Sequence, residues 1–181
     1  TFTFPPDLDW LLEAMAAVAS ETYTSVSAPI QFAAVQAFRG GIAIERYLWH
    51  ARRILSVLGS ELHGILREAD VRVHAPEGGF YLFVDFSSLA DPLSRRGIRD
   101  GAALCDRLLA DRKVAILPGS AFGRPKSELS ARIAYVNFDG SKALAASETI
   151  PLHQRLPEDF IPQICDETIG AAHEIASWLK E

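Results

Sequence analysis

Cysteine is almost missing from this 181-residue chain, with Cys105 and Cys165 the only two. They lie far apart, each inside a helical apolar pattern, so neither a CxxC redox pair nor a zinc knuckle is available and a reducing, cytoplasmic setting is expected. Methionine occurs once, and lysine only at Lys113, Lys126, Lys142 and Lys180. The apolar runs fall far short of the ~20 residues of a membrane span, and no basic segment followed by an apolar one marks an export signal. An excess of positive charge is lacking too: 18 Lys+Arg stand against 23 Asp+Glu, a net charge of -5. The arginines are scattered, so neither a nucleic acid nor a membrane is an expected partner. The five histidines contain no HExxH and no i, i+4 pair, and no metal site is expected.

What is present is a hydrophobic content of 49%, enough at this length for one sizeable core and a small second lobe. Pro5-Pro6-Asp7 offers a helix start with Asp7 as N-cap, followed by Leu8, Leu11, Leu12, Met15, Val18 and Ala19 at helical spacing. Ser27 and Pro29 open a second helix that Gly40-Gly41 closes. From Ile44 a seam of Leu48, Ala51, Leu55, Leu58, Leu62, Ile65 and Ala69 predicts one long helix. A coiled coil is the competing reading, weakened by flanking charges without a pairing code and by Gly59, which costs about 1 kcal/mol relative to Ala.

After Asp70 the period becomes two. Val71 to His74 reads as a short strand, Pro76 to Gly79 as a turn and Phe80 to Phe86 as a longer strand. Ser87 to Gly97 reads as a loop, Ile98 to about Lys113 as a helix, and Val114 to Leu117 as a buried strand halted by Pro118-Gly119. A strand over Ala131 to Phe138, an irregular excursion over Ser141 to Pro162 with at most one helical turn, and a final helix from Ile161 to Leu179 complete the order. The fold class is α+β, a small, largely antiparallel sheet packed with helices and preceded by a long helix.

Few residues carry chemistry. Ser120 lies in Pro118-Gly119-Ser120-Ala121-Phe122-Gly123, which fails the GxSxG pattern because proline stands where the first glycine belongs. The same loop could bind an anion through its N–H groups, but a tight strand-ending turn explains its spacing better. Arg132 is more informative. It heads an otherwise apolar strand, where a planar five-donor cation is costly unless it meets an anion. A structural Asp or Glu is the commoner partner, and a bidentate grip on a substrate carboxylate is the alternative.

The order Pro76-Glu77-Gly78-Gly79-Phe80-Tyr81, a helix with Leu108-Leu109, Val114 to Gly123, and then Ala131-Arg132-Ile133-Ala134 resembles the C-terminal domain of class I/II (fold-type-I) aminotransferases. Tyr23 to Val35 is similar to the segment after the cofactor lysine in that family, and the helix from Ile44 resembles its interdomain helix. The resemblance implies a division into residues 1–41, a helical remnant of the large domain, and residues 42–181, the small domain with the long helix. It also implies a pyridoxal 5′-phosphate (PLP) enzyme acting on an amino-acid/2-oxo-acid pair, a homodimer, and Arg132 as the residue that binds the substrate α-carboxylate. The Schiff-base lysine precedes the segment matched, so the chain is expected to hold no catalytic or cofactor-binding residue, to bind no PLP and to be inactive by itself. Ser141-Lys142 resembles the cofactor site only as a dipeptide, and the excursion after Ser141 departs from the family pattern. A ligand-sensing aminotransferase-like domain of a transcription regulator and a free-standing interaction module are the alternatives.

Overall fold

The computed structural model describes residues 3–181, so the opening Thr1-Phe2 lies outside the described residues. The chain divides into two compact units, Thr1–Glu45 and Arg46–Glu181.

In the first unit the prolines enter a 3₁₀ turn at Pro6–Leu8, where their missing N–H is no loss. Helix α1 (Asp9–Thr22) therefore starts one residue later than an Asp7 N-cap would place it, with Leu8 at its N-cap and no side-chain cap. Helix α2 (Ala28–Arg39) follows Ser27, carries proline in its first turn and stops where Gly40 turns to φ +72°. Neither helix has a buried residue.

The unit boundary falls in the first turn of α3 (Ile42–Glu68). Its buried stripe is His50, Ile54, Leu58, Gly59, Leu62 and Leu66, a rotation from the expected seam that leaves Leu55 and Ile65 half-buried. Gly59 sits where packing is tight. A Cβ there would lie 3.0 Å from both Pro76 Cγ and Tyr135 Oη, so the glycine marks close approach of α3 to the strands' flank rather than a flaw in a coiled coil. The helix closes with Asp70 at φ +60° and Val71 N–H donating to the Leu66 carbonyl at 3.0 Å.

Four strands, β1 (Arg72–Val73), β2 (Tyr81–Asp85), β3 (Leu117–Pro118) and β4 (Ser130–Ala134), form one sheet in the order β1-β2-β4-β3 with every pair antiparallel. The helices α4 (Ala90–Arg95), α5 (Gly101–Arg112), α6 (Gly140–Glu148), α7 (Phe160–Ile164) and α8 (Asp166–Leu179) complete an α+β architecture. Leu82, Val84, Ala131 and Ile133 point into the core, while the alternate positions Tyr81, Phe83, Arg132 and Ala134 lie on the open face.

Several segments differ from expectation. Val114 to Leu117 is not a buried strand: only Leu117–Pro118 pairs, at the sheet edge, and Leu117 is exposed. Strand β4 stops at Ala134, short of Phe138. The stretch after Phe86 is not a plain loop but a 3₁₀ turn at Ser87–Leu89 followed by α4. Helix α5 starts later than Ile98 because Asp100 supplies the N-cap, accepting from Ala103 N–H at 2.8 Å. The excursion is more regular than its prolines suggested, since α6 spans nine residues behind an Asp139 cap that accepts from Lys142 N–H at 3.0 Å. The last helix is broken at Cys165 into α7 and α8.

What fastens the excursion is Arg53. Its guanidinium donates to the carbonyls of Ser147 (2.6 Å), Ile150 (3.2 Å), Pro151 (3.1 Å) and Gln154 (3.3 Å) and to Ser147 Oγ (2.6 Å). One of these carbonyls, that of Ser147, lies in the last turn of α6, and the other three belong to the segment that follows. No helix among the described residues is long and apolar enough to cross a membrane.

Candidate carboxylate-binding site

Strand β4 places Arg132 opposite Phe83 of β2 and opposite Leu117 of β3. Its guanidinium carbon lies 4.2 Å from the Tyr81 ring centroid and 4.1 Å from that of Phe122, so the planar cation lies over two aromatic rings from separate elements. Phe122 comes from the 3₁₀ turn Gly119–Phe122 that β3 enters. A second ring stands behind each of these two. Phe80 packs at 4.4 Å and 44° against Tyr81, and Phe83 meets Phe122 edge-on at 6.4 Å and 80°.

Among the described residues no carboxylate lies within ion-pair distance of Arg132. Its Nε is buried without a hydrogen-bond partner. The structural Asp or Glu that commonly accompanies such an arginine is thus not there, and the cation is held by ring quadrupoles, each contact contributing about 0.5–2 kcal/mol. A cation–π contact engages the face of a guanidinium and leaves its N–H groups, which lie in the plane, as the part able to take an anion. An open cleft of about 1240 Å³ adjoins through Phe83 and Phe122 and carries Arg67, Arg99 and the pair Arg124 and Glu128. That pair is bidentate, at 2.9 and 3.0 Å.

The other sequence candidates find bland roles. Ser120 sits in the 3₁₀ turn with no hydrogen bond from its hydroxyl to any base. The loop's Gly123 and Arg124 N–H groups turn back onto the Ser120 and Gly119 carbonyls, as a strand-ending turn requires. Cys105 and Cys165 are buried, which pushes their thiols up to about 12 and about 11 and keeps them out of thiolate chemistry. No group of three or more metal-ligating side chains occurs among the described residues.

One histidine is buried. His50 is 3% exposed, with Nδ1 2.9 Å from Ser147 Oγ and 3.2 Å from an Arg53 nitrogen that can only donate. Nδ1 is therefore an acceptor and the ring is neutral. Burial lowers its pKa, with Arg53 and Arg46 acting the same way and Glu148 opposing.

Sequence reasoning missed Tyr81 and Phe122 as partners of Arg132. Both lie in quoted motifs, but only the register of β2 on β4 and the turn after β3 bring them to one cation.

A family model described as aminotransferase class I and II matches residues 6–146. The aspartate aminotransferase of Rhizobium meliloti is 35% identical over 119 residues, covering 62% of this chain and 28% of that protein. The aspartate/prephenate aminotransferase of Cereibacter sphaeroides is 33% identical over 119 residues, again 62% of this chain and 28% of that protein. The structure of Thermus thermophilus aspartate aminotransferase with maleate superposes with a TM-score of 0.54 at 25% identity, covering 76% of this chain and 32% of that one. The chain thus spans between a quarter and a third of the length of these three relatives.

Proposed function

Because this chain belongs to the class I and II aminotransferase family, we propose that it is the part of an amino-acid/2-oxo-acid aminotransferase that grips the substrate's α-carboxylate, through Arg132. The observation that carries this reading is the unpaired, ring-stacked guanidinium on the open face of the sheet. An arginine whose fork has no internal anion is arranged to receive one from outside. The amino acid and the 2-oxo acid share that carboxylate, so one fork serves both halves of a transamination. Its work is binding and orientation, which brings the reacting carbon to a fixed distance from the chemical centre.

The family implies PLP in the intact enzyme, where it supplies an electron sink for the carbanion. All four lysines of this chain are exposed, and Lys113 Nζ donates to the Ala110 carbonyl at 3.0 Å. A Schiff-base lysine needs an enclosed site that keeps it neutral, so the described residues do not fit the cofactor. That supports a division of labour in which the cofactor is held elsewhere in the intact enzyme and this chain alone is inactive. The aminotransferase relatives leave the regulator and interaction-module alternatives without a supporting observation.

The test is Arg132→Ala in the full-length enzyme. We expect kcat/KM to fall by about 2–5 kcal/mol in transition-state terms for the amino acid and the 2-oxo acid alike. Unchanged kinetics in both half-reactions would assign the arginine to the fold.

A further inference from the structure

Arg132 has no ion pair to fix its direction, yet a side chain with four rotatable bonds can grip a carboxylate in bidentate fashion only if its plane is set beforehand. The rings supply that constraint. The Tyr81 centroid lies 4.2 Å and the Phe122 centroid 4.1 Å from the guanidinium carbon, and each ring also meets another ring, Phe80 and Phe83 respectively. The jaws come from separate elements, since Tyr81 belongs to β2 and Phe122 to the turn after β3. Tyr81 is 43% and Phe122 40% exposed, so these two large rings retain solvent contact that core residues of their size would not have.

We propose that Tyr81 and Phe122 are positioning residues, a two-jaw aromatic clamp that holds the Arg132 guanidinium as a flat fork and confines a ligand carboxylate to its in-plane edge. The proposal rests on the reading of Arg132 as the carboxylate site. Under it, the orientation of the substrate is set by aromatic stacking rather than by an internal salt bridge. Lysine at position 132 would keep the charge and lose the clamp, because a point charge has no plane to stack.

The experiment uses this chain with arginine side chains labelled with nitrogen-15, read by NMR and titrated with pyruvate as a simple 2-oxo-acid probe. In the unsubstituted chain the Arg132 Nε–H resonance is expected to be displaced by ring currents and to move on adding pyruvate. Tyr81→Leu and Phe122→Leu are each expected to remove much of that displacement and to weaken pyruvate binding by about three- to tenfold. Tyr81→Phe and Phe122→Tyr keep a ring in place and are expected to restore both readouts, which a general loss of folding would not allow. Leucine variants that bind pyruvate as the unsubstituted chain does would overturn the clamp. An Arg132 resonance that keeps its ring-current displacement but never responds to pyruvate would instead overturn the reading of Arg132 itself, and the clamp's role with it.

Discussion

Replacing Arg53 with leucine should destabilise the Arg46–Glu181 unit by about 2–4 kcal/mol. The guanidinium bonds four carbonyls, those of Ser147, Ile150, Pro151 and Gln154. The bonds to Pro151 and Gln154 are exposed, so water replaces them at little cost. Those to Ser147 and Ile150 are partly buried, and a hydrogen bond to a charged group in such a place contributes about 1.5–3 kcal/mol. Against their sum stands the guanidinium's own burial, which lowers its pKa and leaves Nε with no partner. Leucine relieves that cost, which brings the net down to the range given. At about 2–4 °C per kcal/mol for a chain of this size, the midpoint of thermal unfolding should drop by about 5–15 °C. Urea unfolding of the two proteins, followed by circular dichroism, measures the difference. A change below about 0.5 kcal/mol would show that the excursion is held by its buried apolar residues such as Leu156 and Phe160, and that the polar hub is incidental.

The neighbouring histidine gives a pH effect of defined sign. Because His50 has a folded pKa below its ordinary 6.5, the unfolded chain takes up the proton first, so stability is complete above about 6.5 and is lost as pH falls from there toward the depressed folded value. Unfolding midpoints at about pH 8 and about pH 5 should differ less in His50→Gln than in the unsubstituted chain, and an equal difference would remove His50 from that limb. In the first unit, Phe38 is 92%, Phe32 79% and Ile42 76% exposed. Apolar surface of that kind marks an interface, so the chain should form dimers through its N-terminal third. Light scattering over a dilution series tests this, and a monomer at micromolar concentration that binds no apolar dye would reject it.

The long-range order of the fold was legible because each strong pattern came from burial. The stripe of α3, the alternation that buries Leu82 and Val84 in β2 and the apolar strand around Arg132 all follow the side chains the core needs. The failures fall where a polar contact decides. Asp139 caps α6 and Arg53 collects the carbonyls beyond it, and neither effect is visible as a hydrophobic period. Val114 to Leu117 looked like a buried strand because its residues are apolar. Only Leu117 and Pro118 reach a partner there, and Ile116 is buried without pairing. Arg132 could be singled out from its cost in an apolar strand, but its two jaws could not, because cation–π pairing between distant segments leaves no spacing to read.

The sheet order has a kinetic consequence. Its central ladder joins Tyr81–Asp85 to Ser130–Ala134 while α4, α5 and β3 occupy the interval. Pairing of that kind must close a long loop before any contact rewards it, which makes it slow relative to formation of α3 or α5. Tyr81 lies on one side of that loop and Arg132 on the other, so the fork acquires its plane only when the ladder closes. A chain whose helices are already formed would still lack the site. Recovery of carboxylate binding after dilution from denaturant should therefore lag behind recovery of helical circular dichroism, with the rate of β2–β4 pairing setting the delay.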